Sequence, residues 1–318
     1  MRQRFSVSHA SIALPLSCVL ILTGSACARL HNAERPCCAA ATVKTSLRDR
    51  VTLPHQETIA AYVQSGAQNA KAHQLSEREW SLVERALADL PPMYRQILGR
   101  RLGRLSFIDA PSSAGTALTR SYNGPDGKQR FDITIRADVL DMSLTDFLAG
   151  KEERLFAEDG SGYTLHVNAG KMPALTYLLL HETTHVLDQT YDITTGARPF
   201  AVPWRNYRTL SEPYASGPMG VSIYRRGPPL VRVKMPALYR ALANSPFVSL
   251  YSTASAGEDF AELCAWSLLA RQSQVTLTLQ VRDAKGNTAV EVDPLTLPAV
   301  RSRLDGVQRI LADIGALS

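Results

Sequence analysis

The stretch Leu178-Leu179-Leu180-His181-Glu182-Thr183-Thr184-His185-Val186-Leu187-Asp188 places the tightest limit on how this chain folds. Ala174 to Leu187 reads as helix without a breaker, and Pro173 stands where the first turn of a helix tolerates proline. Residues four apart on a helix share a face, so His181 and His185 converge on one point. Two imidazoles so placed suit a zinc ion and leave room for a third protein ligand and a water. Glu182 projects beside that point, where its carboxylate can take a proton from the water. The fold must therefore bury a helix that carries a polar cluster, and must bring a further ligand to it from elsewhere.

A source for that ligand is Tyr251-Ser252-Thr253-Ala254-Ser255-Ala256-Gly257-Glu258-Asp259-Phe260-Ala261-Glu262, which opens a helix running on through Trp266 and Leu269. Glu258 and Glu262 lie one turn apart on one face. Phe260, Leu263 and Cys264 make the surroundings apolar, and an acidic pair there wants a metal or an imidazolium as partner. Asp188 shares the face of His181 and His185. It either hydrogen-bonds a group behind the ligands or caps the helix end. His166 sits in a strand pattern and reads as a sheet residue.

His-Glu-Thr-Thr-His, then Tyr251, then Glu258 seven residues later within Glu-Asp-Phe-Ala-Glu, resembles the gluzincin zinc metallopeptidases of the lethal-factor and Pro-Pro endopeptidase type. The resemblance covers about residues 174–190 and 251–270. It implies an α+β, zincin-like domain with a twisted sheet, an active-site helix and a helical lower part. One edge strand of such a sheet lines the cleft and pairs with extended substrate. It further implies that His181, His185 and Glu258 bind Zn2+, that Glu182 is the general base, and that Glu262 buttresses a ligand His. Tyr251 would donate a hydrogen bond to the oxyanion of the tetrahedral intermediate. The implied partner is a peptide or protein, hydrolysed at a peptide bond. Substrate preference is not carried across, because the segment linking the two motifs is long and different. Two further readings stand beside this one: an envelope-anchored binding or scaffold protein on the same frame, and a metal-dependent hydrolase of a non-peptide bond. Intact Glu182 and Tyr251 speak against a purely structural ion.

The N-terminus reads as a targeting segment. Arg2 and Arg4 precede the apolar run Ile12–Leu22, too short to span a membrane and suited to a secretory signal. Ala26-Cys27-Ala28 offers an ordinary cleavage site. Gly24-Ser25-Ala26-Cys27 resembles a bacterial lipobox, with Cys27 lipidated and anchoring the mature chain to a membrane. Either way the protein is expected to be exported to the cell envelope, periplasm or medium. Residues 28–55 read as a tether and 56–318 as the catalytic domain. Of five cysteines, Cys18 falls in the signal, Cys37 and Cys38 are adjacent, and Cys264 reads as a core residue, so no disulfide framework is expected. The net charge of +6 comes from scattered residues without a basic stripe, so nucleic acid is not an expected partner.

Elsewhere the pattern predicts helices from Gln56 to about Ala72, from the capping box Ser76–Glu79, and from Met93 to Arg101. Strands are expected at Leu105–Asp109, Phe131–Ile135 and Tyr163–Val167, with a turn at Gly124–Gly127. Asp192–Leu250, rich in proline, reads as irregular and fit either to wall the cleft or to form a surface insertion. A hairpin over Val275–Val292 and an amphipathic helix over Leu297–Ile314 close the chain.

Overall fold

The computed structural model describes residues 46–195 and 203–316. The signal, Cys27, Cys37 and Cys38 lie outside the described residues.

In chain order the elements are α1 (Gln56–Gln64), β1 (Lys71–His73), α2 (Glu77–Ala88), α3 (Pro92–Arg101), β2 (Leu102–Asp109), β3 (Ala117–Asn123), β4 (Gln129–Arg136) and α4 (Leu144–Glu153). There follow β5 (Phe156–Ala157), β6 (Thr164–Asn168), α5 (Ala174–Tyr191), β7 (Trp204–Asn206), β8 (Thr209–Leu210), β9 (Leu230–Val231) and α6 (Met235–Ala243). The chain ends with α7 (Ala256–Gln272), β10 (Thr278–Arg282), β11 (Thr288–Val292) and α8 (Pro298–Ala316). The fold class is α+β.

The main sheet has the order β1-β2-β4-β3. Its centre, β2 with β4, is parallel, whereas the edge strand β3 runs antiparallel to β4. Thr119 of β3 lies opposite Ile133 of β4 and shares its core-facing side. The helix α5 packs against this side. Every residue from Ala174 to Asp188 is buried, as expected for a helix that is covered on all its faces. The helix α7 packs along α5 and is itself buried from Ala256 to Ser267, with α8 covering its outer side through Val300, Leu304, Val307 and Leu311.

Several expectations are corrected. The strand after residue 163 does not join the main sheet. It pairs with β10 in a separate sheet of order β11-β10-β6, where His166 is exposed opposite Gln280. The edge beside α5 is instead β3, which the sequence pattern did not reveal. The first helix stops at Gln64 rather than near Ala72. Gly66 turns the chain at φ 103°, and Lys71–His73 then pair with β2. The folded part begins before residue 56. Val51 bridges to Leu105 and is buried, and the Arg50 guanidinium donates to the carbonyls of Leu98, Gly99 and Leu102. Asp192–Leu250 is less irregular than its prolines imply: it contains α6, with Pro236 in the first turn where no N–H is needed. Tyr251 does not belong to α7 but to a separate 3-10 turn, Tyr251–Thr253, before the cap Ser255.

Candidate metal centre

Two buried helices meet at the site. The imidazoles of His181 and His185, one turn apart on α5, bring their Nε2 atoms within 3.2 Å of each other. Glu258, in the first turn of α7, places Oε2 3.0 Å from His181 Nε2 and 3.3 Å from His185 Nε2. Ser255 caps α7 by accepting from the Glu258 N–H, which fixes where that turn begins. The three side chains are buried, and their ligand atoms lie within 4.8 Å of one another, so the group can hold a metal ion.

Glu262, one turn further along α7, lies behind the ligands. Its Oε1 is 3.2 Å from His181 Nδ1, an electrostatic contact whose direction is off line for a hydrogen bond. The Tyr177 hydroxyl donates to Oε1, and Ser249 donates to Oε2 at 2.6 Å. Tyr177 stands four residues before His181 on the same helix face. That spacing was the signal available for it in the sequence.

Glu182 stays outside the ligand group. Its Oε2 accepts from the Thr119 hydroxyl at 2.6 Å, so the edge strand holds the carboxylate beside the cluster. Asp188 is engaged elsewhere. Its two oxygens accept from the Thr194 N–H at 2.8 Å and hydroxyl at 2.7 Å, fixing the turn after α5, where Asp192 adopts a left-handed conformation. Of the two expected roles, Asp188 therefore takes the one at the helix end.

Tyr251 is buried with its ring centre 5.8 Å from that of His181. Tyr224, from the proline-rich segment, packs edge-on against it at 5.0 Å, and Lys151 of α4 sets its Nζ 3.4 Å from the ring centre. The segment after α5 is thus a wall of the site. Tyr207 accepts from the Ala256 N–H through its carbonyl, and the Arg225 guanidinium donates to the carbonyls of Thr253 and Ala254. Trp204 Nε1 donates to Asp259, which also accepts from Arg303. Gly257 is needed here, since a Cβ would stand 2.5 Å from the Tyr207 hydroxyl.

The cluster attracts positive charge. Burial opposes a charge on His181, but Glu258 and Glu262 outweigh it and lift its pKa to about 10. His185 is raised in the same way, against burial, by Glu258. Burial also pushes the carboxylates upward, yet the imidazoles hold Glu258 well below the usual range. Lys151 and His181 hold Glu262 at about 2. The carboxylates favour positive charge on the imidazoles as they would favour a metal cation between them. Cys264, buried under α5 near Tyr94, is a core residue as expected.

Comparison with protein-family models, with curated proteins and with solved structures gave no match.

Proposed function

We propose that this chain is a zinc metallopeptidase on a zincin-like frame. The observation that carries the reading is the meeting of His181 Nε2, His185 Nε2 and Glu258 Oε2 at 3.0–3.3 Å from one another, with Glu182 set apart from them. Ligands about 2.0–2.1 Å from a tetrahedral zinc stand about 3.3 Å apart, so the donor set fits that ion by size as well as by chemistry. Held by His181, His185 and Glu258, zinc would supply the Lewis acidity that polarises a scissile carbonyl and acidifies a water. Glu182 takes the proton of the attacking water and passes it to the leaving amine, and Thr119 keeps the carboxylate turned for that task. The Glu262 charge, 3.2 Å from His181 Nδ1, favours a proton on that nitrogen and so leaves Nε2 free for the ion. The Tyr251 hydroxyl donates to the oxyanion as charge builds there.

The substrate is an extended peptide or protein segment. The outer edge of β3 carries no strand partner among the described residues, and the exposed stretch Ser121–Asn123 continues from Thr119 away from the site. Substrate backbone pairs there by adding a strand.

Export follows from Arg2, Arg4 and the Ile12–Leu22 run, with Cys27 as the lipid anchor. No helix among the described residues is long and apolar enough to cross a membrane. Cys27→Ser moves the protein from the membrane fraction to the soluble one under this reading. A mature chain beginning at Arg29 without lipid, seen by intact mass, excludes the anchor.

The central test is Glu182→Gln. It should retain about one zinc per chain and lose hydrolysis of a peptide library that the parent cleaves and a chelator silences. Unchanged turnover in Glu182→Gln would sink the mechanism.

A further inference from the structure

Lys151 of α4 takes no part in the proposed reaction. Its side chain is half-buried on α4, yet its ammonium makes no ion pair at 4.0 Å or less among the described residues. Glu152 beside it turns instead to Tyr239, whose hydroxyl donates to it. The Lys151 charge is directed at the face of one ring, with Nζ 3.4 Å from the centre of Tyr251. Burial disfavours the charge on Lys151, and the charges of Glu262 and Glu258 on α7 and of Glu152 favour it. Shielding a cation from water is unfavourable unless the surrounding charge offsets it.

This placement works against metal affinity, since an ammonium near the ligands repels a divalent cation. A methionine at this position would pack on Tyr251 and leave the metal more tightly held. The charge is of use when negative charge develops on a bound substrate. That charge builds as Glu182 takes the water's proton, and the ammonium acts on it through the ring it covers. A cation over the ring face also draws on its π-electrons and fixes the ring in place.

We propose that Lys151 is a positioning residue of this site: its ammonium holds the Tyr251 ring beside His181 and makes the Tyr251 hydroxyl a stronger donor toward the oxyanion. The inference rests on the role given to Tyr251 above. It requires that turnover fall without any loss of metal affinity when the Lys151 charge is removed, which a packing role would not produce.

The test is a double-mutant cycle on the zinc-loaded chain, with zinc affinity read by chelator competition. Lys151→Met is expected to bind zinc as tightly as the parent or severalfold tighter. Its kcat should fall about tenfold with KM unchanged. Lys151→Arg restores most of kcat. In a Tyr251→Phe background, Lys151→Met changes kcat by less than about twofold, because the ring hydroxyl it serves is gone. Should Lys151→Met fail to fold, Lys151→Gln carries the same comparison. Weaker zinc binding alongside lower kcat overturns the proposal, as do losses that simply add in the Tyr251→Phe background. A parent chain that binds zinc but cleaves no peptide sinks the peptidase reading and Lys151's role with it. An active parent with additive losses sinks the role of Lys151 alone.

Discussion

The Thr119 hydroxyl reaches from the sheet edge to the motif helix and donates to Glu182 at 2.6 Å. The two residues come from elements far apart in sequence, and both are buried. A carboxylate anchored at one oxygen keeps the other for the attacking water, so the strand fixes the orientation of the proposed base.

Replacing Thr119 by Val keeps the shape and removes the donor. A hydrogen bond to a charged group contributes about 1.5–3 kcal/mol, so kcat should fall about tenfold or more while zinc content and KM stay put. Thr119→Ser keeps the hydroxyl and should keep most of the rate. Steady-state kinetics with metal analysis decides this, and equal activity in Thr119→Val would remove the strand from the mechanism.

What was legible in the sequence was the part where periodicity and chemistry coincide. The run around His181 is apolar at helical spacing and carries ligand residues four apart. Glu258 and Glu262 repeat the same coincidence on α7. The strand β3 was not legible, because Ala-Leu-Thr-Arg-Ser-Tyr-Asn has polar residues on both faces and its far end is exposed. A Thr in such a strand gives no sign that it will meet a carboxylate on another element. Nothing in the sequence around Lys151 marks it out, and only its place over the Tyr251 ring gives it a role. The helix α6 was hidden by the prolines around it, one of which is its own first-turn residue.

Glu258 and Glu262 separate by what they touch. Glu258 meets both Nε2 atoms, whereas Glu262 meets only the far nitrogen of His181. Glu258→Ala should therefore be nearly zinc-free at low metal concentration. Glu262→Ala should keep zinc with affinity about 10–100-fold weaker, the usual effect of losing a partner behind a ligand imidazole. Zinc titration of the two variants side by side reads this, and the reverse order would reassign the third ligand.

Asp259, fully buried next to Glu258, is held by Arg303 at 2.6 and 3.1 Å and by Trp204 at 2.8 Å. This joins α7 to α8 and to the wall segment. Burial raises the Asp259 pKa and Arg303 opposes that rise, so removing the guanidinium leaves a carboxylate short of partners. Arg303→Met should destabilise the fold by about 3 kcal/mol, near the lower end for breaking a buried pair, because the arginine is partly exposed. Urea unfolding of parent and variant measures this, and a difference under about 0.5 kcal/mol would assign the pair no structural role.

The metal-free protein should respond to pH through the same cluster that binds the ion. His181 has its pKa lifted to about 10 in the fold, above about 6.5 when unfolded. Its contribution to stability is therefore complete below pH ~6.5 and is lost as pH rises toward 10. Glu262 is held at about 2, below about 4.3 when unfolded, so its contribution is complete above pH ~4.3 and is lost as pH falls toward 2. Both contributions are complete only between about pH 4.3 and 6.5, where the chelated protein should melt highest as far as these groups decide. Zinc must displace the proton on His181, so its binding strengthens as pH rises. The rise in Tm on adding zinc should accordingly be small near pH 5.5 and grow toward pH 8.5. Melting curves with chelator and with zinc across that range test this. A zinc-induced shift independent of pH would mean that no proton leaves the cluster when the ion enters, and that His181 is not where it binds.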